Sequence, residues 1–452
     1  MIKLGIDFGT TNSSIAYFDG DILHPIKLDA ENENPYVLPS LIWIDKTHQS
    51  KLGSDAAVEY LARETERQIV WAKREIGALE IIVAGGGSSP IHYWHDVHII
   101  TDINANGRLL QSIKTVLRDP HYEGTMIFDR YYTVDELIAL ILLDMKTRAE
   151  KQLGQSCDSV VIGRPVRFSD DPAITLRAEE LIYRAGLLAG FKHITFQMEP
   201  IGAAHLYHRQ TSKRENVLIF DFGGGTLDLT IVEVGGKEQP HVIATRGVLV
   251  GGDDLDRRIM ESLFKYFGKD TKVDGGIDFP PEFLDQLRTW QTMPELSRPE
   301  PLSKIKRYQK TSNAPQTMYA LDTLVTHNIG FKLFREIERT KKNLTDNLVA
   351  KLLFQYQHID IQERILQRAF TELIASEVLQ VQHALRAVMK DADLLVENID
   401  TVLRTGGTSL VPAFVNLLNA EFGFGKVQEF DPLTSVVGGI AIVAHEDIGV
   451  KP

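Results

Sequence analysis

Apolar residues at every second position mark 3–7, 14–17 and 40–44 as short strands, which suggests an antiparallel start to the chain. A helix is predicted from near Ser54 towards Trp71. Thr133 and Glu136 form a capping-box pair ahead of Leu137-Ile138-Ala139-Leu140, and Gly154 ends that helix. Residues 159–162 read as a buried strand, 172–189 as a helix stopped by Gly190, and 194–197 as the next strand. The second half repeats the order. Strands are predicted at 217–221, 227–234 and 241–246, helices at 254–267 and 331–345, and a long helical stretch through 362–392. A strand at 401–404 runs into Gly406-Gly407 and a helix from Pro412 to Phe422. Strands that first pair and then alternate with helices, twice over, imply two related α/β lobes with a cleft between them.

One phrase occurs in both halves. Leu4-Gly5-Ile6-Asp7-Phe8-Gly9-Thr10-Thr11-Asn12 opens the chain, and Ile219-Phe220-Asp221-Phe222-Gly223-Gly224-Gly225-Thr226-Leu227-Asp228 returns 221 − 7 = 214 residues later, aspartate to aspartate. Each copy is a β-prone run that reaches an Asp, turns on Gly and supplies a Thr hydroxyl. Without a Cβ, such a turn can bring backbone N–H groups close to a phosphate. Two facing turns, each with a carboxylate, could grip a polyphosphate and its magnesium from both sides.

Composition narrows the classes. A chain of 452 residues with 43% hydrophobic content can form two or more lobes with cores of their own. A net charge of −12 argues against nonspecific nucleic-acid binding, which needs a basic surface. Cys157 is the one cysteine, so no internal disulfide forms, and a reducing, cytoplasmic setting is expected. The N-terminus enters a strand without signal-peptide features. The apolar runs 137–143 and 436–444 fall well short of the ~20 residues that span a bilayer.

Six segments, in order, resemble the nucleotide-binding domain of the DnaK-type heat-shock protein 70 chaperones. They are Gly5-Ile6-Asp7-Phe8-Gly9-Thr10-Thr11-Asn12, Ala72-Lys73-Arg74-Glu75-Ile76-Gly77, Glu199-Pro200-Ile201-Gly202-Ala203-Ala204, the run from Asp221 to Asp228, Glu338-Arg339-Thr340-Lys341-Lys342-Asn343-Leu344-Thr345, and Gly406-Gly407-Thr408-Ser409-Leu410-Val411-Pro412. The resemblance covers nearly the whole chain and implies the actin-like ATPase fold: two duplicated ribonuclease H-like α/β lobes around a central nucleotide cleft. Lobe I is expected at 1–212, lobe II at 213–427, and a C-terminal helix returning to lobe I at 428–452.

The resemblance also implies roles. ATP or ADP with Mg²⁺ is the expected ligand, with Asp7 and Asp221 holding the metal through its waters. Gly9, Thr10, Thr11 and Asn12, together with Gly223, Gly224, Gly225, Thr226, Gly251 and Gly252, are expected to cradle the phosphates. Lys73 is expected beside the γ-phosphate, Glu199 to orient the attacking water, and Thr226 and Asp228 to complete the catalytic set. Glu338, Lys341, Lys342, Thr345, Gly406, Gly407, Thr408 and Leu410 are expected around the adenosine. Lys342 and Leu410 stand where the family usually stacks two arginines on the adenine, Asn12 replaces an aromatic residue, and Leu433 an aspartate. Base affinity or preference is therefore expected to differ.

The segment after residue 444 is too short for the family's peptide-binding domain, which likens the chain to the short YegD-like members. Two inserts stand out. In the first, 84–98, a strand would place His92 and His98 on one face and His95 on the other, which favours an exposed hairpin over a metal site. The second, 269–328, carries Trp290 and the basic run Lys304-Ile305-Lys306-Arg307, a potential contact for an acidic protein partner. The expected function is an ATP-hydrolysing conformational switch that works through a protein partner. A small-molecule kinase and a non-hydrolysing nucleotide-binding scaffold are the alternatives.

Overall fold

The alternation in Lys3–Phe8 resolves into two unlike faces. Leu4, Ile6 and Phe8 are fully buried in the core of lobe I, while a Cβ on Gly5 would lie 2.5 Å from the backbone nitrogen of Ala441. The strand is therefore covered on both sides, by its own lobe and by the helix Ser435–Glu446. The computed structural model describes residues 2–83, 91–236, 239–431 and 435–448.

The sheets of the two lobes share one plan. In lobe I, Lys3–Phe8 pairs antiparallel with Asn12–Phe18 and parallel with Ser159–Arg164, which pairs in parallel with His193–Met198. In lobe II, Glu215–Phe222 pairs antiparallel with Leu227–Val234 and parallel with Thr401–Thr405, and Val427–Glu429 extends the parallel side. The hairpins put Asp7 opposite Ser14 and Asp221 opposite Asp228. The repeated phrase thus occupies equivalent places in equivalent sheets.

Two helices join the lobes. Glu199–His208 and Ser435–Glu446 cross so closely that a Cβ on Gly439 would stand 1.5 Å from the carbonyl oxygen of Gly202. Their apolar faces share one core with Val161 of the first sheet and Val217, Ile219 and Leu403 of the second.

Local signals place most elements as expected. Thr133 and Glu136 form the reciprocal capping box of Val134–Leu153, and Gly154 ends that helix with φ 67°. Pro172–Leu188 and Pro412–Phe422 each start on a proline in the first turn. The long helix expected over 362–392 is corrected. Ile359–Leu366 is a strand paired with Val349–Tyr356, followed by helices Gln367–Leu373 and Ala375–Asp391. Ile359, Ile361 and Ile365 point inward while Asp360, Gln362 and Arg364 point out, a period of two that β-branched residues favour. The helix expected from Ser54 to Trp71 ends at Arg63, and Trp71–Val83 is instead a strand paired with Ile91–Asp102. Residues 84–90 and the side chains of His92, His95 and His98 lie outside the described residues, as does Leu433.

The insert over 269–328 folds onto the body of lobe II. In it, Ile305 is buried, and the basic run is met by the chain's own carboxylates. Lys304 pairs with Glu300 at 2.9 Å, Arg307 with Asp274 at 2.8 Å, and Lys306 with Asp322. Trp290, carried by this insert, is 7% exposed and packs with Phe331 against Tyr60 of lobe I. Its Nε1 donates to Gln111 Oε1 at 2.6 Å, and Asn328 Nδ2 donates to the Tyr60 hydroxyl at 3.1 Å and the Glu64 carbonyl at 2.9 Å. Trp71 Nε1 adds a bond of 2.8 Å to Ser297 Oγ. The two lobes are therefore joined above the cleft as well as below it.

Candidate functional site

The two glycine turns meet face to face. A Cβ on Gly9 would come within 2.0 Å of the Asn12 carbonyl oxygen, so that turn tolerates no side chain. Across the cleft, a Cβ on Gly224 would meet the Thr11 side chain at 2.4 Å, and one on Gly225 would stand 3.0 Å from Thr10 Oγ1. Gly251 is equally confined, 2.1 Å from the Gly224 carbonyl oxygen by the same measure. Thr408 Oγ1 donates to the Gly223 carbonyl at 2.8 Å, and the N–H of Gly252 donates to the same oxygen at 3.1 Å. Gly406, with φ 76°, turns the chain beside Asp221. Thr10, Thr11, Gly223, Gly224, Gly225, Gly251, Gly252 and Thr408 are thus brought to one place, where the tips of the two turns touch across the cleft.

Four carboxylates and one ammonium lie behind the turns. Lys114 Nζ donates to Glu199 Oε1 at 2.7 Å, and both residues are buried. Removal from water and the charge of Glu199 push Asp7 up to about 7, against a pull from Lys114. Asp228 is raised to about 7 by the same two causes, although its Oδ1 accepts from the Val166 N–H at 2.9 Å. Asp221 is held well above the usual carboxylate range by burial and then by Glu199, Asp228 and Asp7. One lysine does not neutralise this set, and a divalent cation would offset two more of its charges. Among the described residues no three His, Cys, Asp or Glu side chains converge to cage a metal. The donor set fits Mg²⁺, which keeps several waters and takes only one or two carboxylates together with substrate phosphates.

These shifts carry a sign. A carboxylate whose folded value is raised contributes stability that is fully present below its ordinary value of 3.8 and is lost as pH rises through about 7. Ligand-free protein is therefore expected to melt at a lower temperature at pH 8 than at pH 6. Asp228→Asn, which keeps an oxygen for Val166, is expected to flatten that dependence. Each unit by which the carboxyl is raised corresponds to about 1.4 kcal/mol. An unchanged pH profile in the variant would show that Asp228 is not a source of the penalty.

Lys73 is not in this cluster. It is exposed on Trp71–Val83, opposite Ile100 in the hairpin, and the expected role for it is corrected. The hairpin occupies the stretch where the resemblance had placed the lysine. The chain then returns through Gly107–Gln111 to the 3-10 turn Ile113–Arg118, whose Ile113 and Leu117 anchor it in the core and carry Lys114 inward. A lysine between Ile113 and Val116-Leu117 just after a strand was the available signal, but that signal is weak taken alone.

On the helix Gly330–Asp346, Lys341 is half-buried, with Nζ 2.7 Å from Asp256 Oδ2 and 3.0 Å from the Gly252 carbonyl. Burial alone would push its ammonium down, but Asp256 and Glu338 outweigh it and hold it above its usual value. Lys342 is exposed and pairs with Glu338 at 3.3 Å, while Leu410 is half-buried at the end of the 3-10 turn Gly407–Leu410. A cavity of about 430 Å³ between the lobes is lined by Glu338 and Lys342 on one side and Leu61, Thr65 and Glu66 on the other.

Among the described residues no helix is long and apolar enough to cross a membrane. A family model described as Hsp70 protein matches residues 3–289 and 310–450. The interval between the two matched stretches carries Trp290, Ser297 and the basic run. Both Asp-Gly turns, the Lys114–Glu199 pair and the crossing helices fall within the matched residues. The chain therefore belongs to the Hsp70 protein family and has its actin-like ATPase fold.

Proposed function

We propose that the protein is a slow MgATP hydrolase that uses the nucleotide to set the spacing of its two lobes, and that a protein partner reads that spacing. The observation that supports this best is the buried Lys114–Glu199 pair beside Asp7 and Asp221, set behind two facing glycine turns.

The reaction is phosphoryl transfer to water, in which positioning and charge stabilisation do most of the catalysis. The water oxygen bonds to the γ-phosphorus, and the bond from phosphorus to the bridging oxygen breaks with its electron pair leaving on ADP. The water's proton passes to a cleft carboxylate, Glu199 or Asp228, and then to solvent. Lys114 holds Glu199 in place and sets a positive charge beside the transferring group. The N–H groups of both turns, with the Thr10 and Thr226 hydroxyls, bind phosphate oxygens. Asp7 and Asp221 would hold Mg²⁺, which when bound supplies counter-charge to those oxygens. Lys341, fixed by Asp256, sits at the nucleoside end with Thr408 and Gly252.

Single-turnover hydrolysis of MgATP by purified protein tests this reading. Formation of ADP and phosphate without an added acceptor is the expected result. Bound MgATP with no turnover would leave a nucleotide-sensing scaffold, and consumption of ATP only in the presence of a sugar would make the protein a kinase.

A further inference from the structure

Arg118 closes the same short turn that carries Lys114. Its Nη2 crosses the cleft and donates to the carbonyl of Gly225 at 3.0 Å, at the tip of the lobe II turn. A guanidinium has five N–H donors, and this carbonyl takes one of them. Two of the nearby carboxylates are engaged elsewhere: Asp254 pairs with Arg257 at 3.1 Å and caps the Gly251 N–H at 2.9 Å, while Asp228 accepts from Val166. Among the described residues no carboxylate comes within the 4.0 Å of an ion pair with Arg118. Burial pushes its guanidinium below the usual arginine value, only partly offset by Asp254, Asp228 and Asp253. A partly buried arginine stays charged and is most stable when an anion joins it.

The position favours a phosphate as that anion. By the same Cβ construction, Gly225 stands 3.0 Å from Thr10 Oγ1 and 3.2 Å from Arg118 Nη2. The tip of the lobe II turn is therefore held between a hydroxyl and a guanidinium, both from lobe I. Lys114 is already committed to Glu199, whereas among the described residues Arg118 is bonded to a neutral carbonyl.

We infer that Arg118 is a second cation for the nucleotide's phosphates, delivered by lobe I onto the glycine turn of lobe II, so that lobe closure and charge stabilisation occur together. The inference rests on the nucleotide reading above. With ATP between the turns, the guanidinium keeps its bond to Gly225 and turns its other donors to phosphate oxygens. Negative charge builds on those oxygens as the bond to the bridging oxygen breaks. Arg118 forms no covalent bond and transfers no proton. Because part of its contact is with the terminal phosphate, it favours ATP over ADP.

The test compares wild type, Arg118→Ala and Arg118→Lys in two measurements: the single-turnover rate at saturating MgATP, and the ratio of MgATP to MgADP affinity. Arg118→Ala is expected to lower the rate about 10²-fold, in line with loss of one preorganised donor. It is also expected to lower the preference for ATP about tenfold, the scale of one charge-assisted hydrogen bond. Arg118→Lys keeps the charge but not the planar fork, and is expected to fall between the two. Wild-type values of both quantities in Arg118→Ala overturn the inference. If that variant does not fold, wild-type values of both in Arg118→Lys overturn it instead. A wild-type protein that binds MgATP without hydrolysing it sinks the hydrolase reading, and Arg118 is then judged by the affinity ratio. A wild-type protein that binds neither nucleotide overturns both.

Discussion

Lys114→Ala is expected to lower the single-turnover rate of MgATP hydrolysis by about 10²–10³-fold, the scale for loss of one preorganised charge-stabilising group. Lys73→Ala is expected to leave that rate unchanged. Lys114 is buried, bonded to Glu199 at 2.7 Å, and acts electrostatically on Asp7, Asp221 and Asp228. Lys73 is exposed on a hairpin strand. Removing Lys114 has a structural consequence as well. Glu199 is left unpaired among three aspartates, and breaking a buried ion pair from one side costs about 3–5 kcal/mol. The double variant Lys114→Ala/Glu199→Gln separates the two effects, since it removes the stranded charge but not the catalytic loss. It is expected to regain most of the melting temperature while remaining inactive. Hydrolysis lost in Lys73→Ala and kept in Lys114→Ala would reverse the assignment.

Trp290→Ala is expected to destabilise the contact between the lobes by about 3–5 kcal/mol, the usual cost of truncating a buried tryptophan. The indole has its ring centroid 4.9 Å from Phe331 and 5.5 Å from Tyr60, and its nitrogen holds Gln111. By contrast, Lys332→Ala breaks only the half-exposed 2.7 Å pair with Glu66, and such pairs contribute about 0–1 kcal/mol. Because the tryptophan joins lobe II to lobe I above the nucleotide cleft, its loss is expected to speed ADP release as well as lower the melting temperature. Stopped-flow release of a fluorescent ADP analogue measures the first and calorimetry the second. A lower melting temperature with an unchanged release rate would show that Trp290 is core packing and does not restrain lobe opening. Trp290 lies just outside the stretch that the Hsp70 model matches, which ends at residue 289. The restraint is thus built partly from residues outside the two matched stretches.

The sites that could be read from the sequence are those whose signal is local. The Asp7 and Asp221 turns announce themselves because an extended run, a carboxylate and glycines must be adjacent for the backbone to turn there. Thr133 with Glu136, Gly154, and the helix Pro412–Phe422 follow the same logic, since caps and stops act within four residues. The strand Ile359–Leu366 was missed although its alternation is also local. Helix-prone residues such as Gln362, Glu363 and Arg364 masked it, and pairing with Val349–Tyr356 decided the outcome.

The chain alone determined that two equivalent Asp-Gly turns exist and that their chemistry suits a polyphosphate, because the conformation of a tight turn depends on the few residues that form it. Only the tertiary structure decided that Lys114 and not Lys73 faces those turns, that Arg118 reaches across to Gly225, and that Trp290 ties one lobe to the other. Lysine, arginine and tryptophan look alike in sequence whether they face solvent or a neighbour. Which of them is withdrawn from water, and which group it then meets, depends on segments 85 to 179 residues apart.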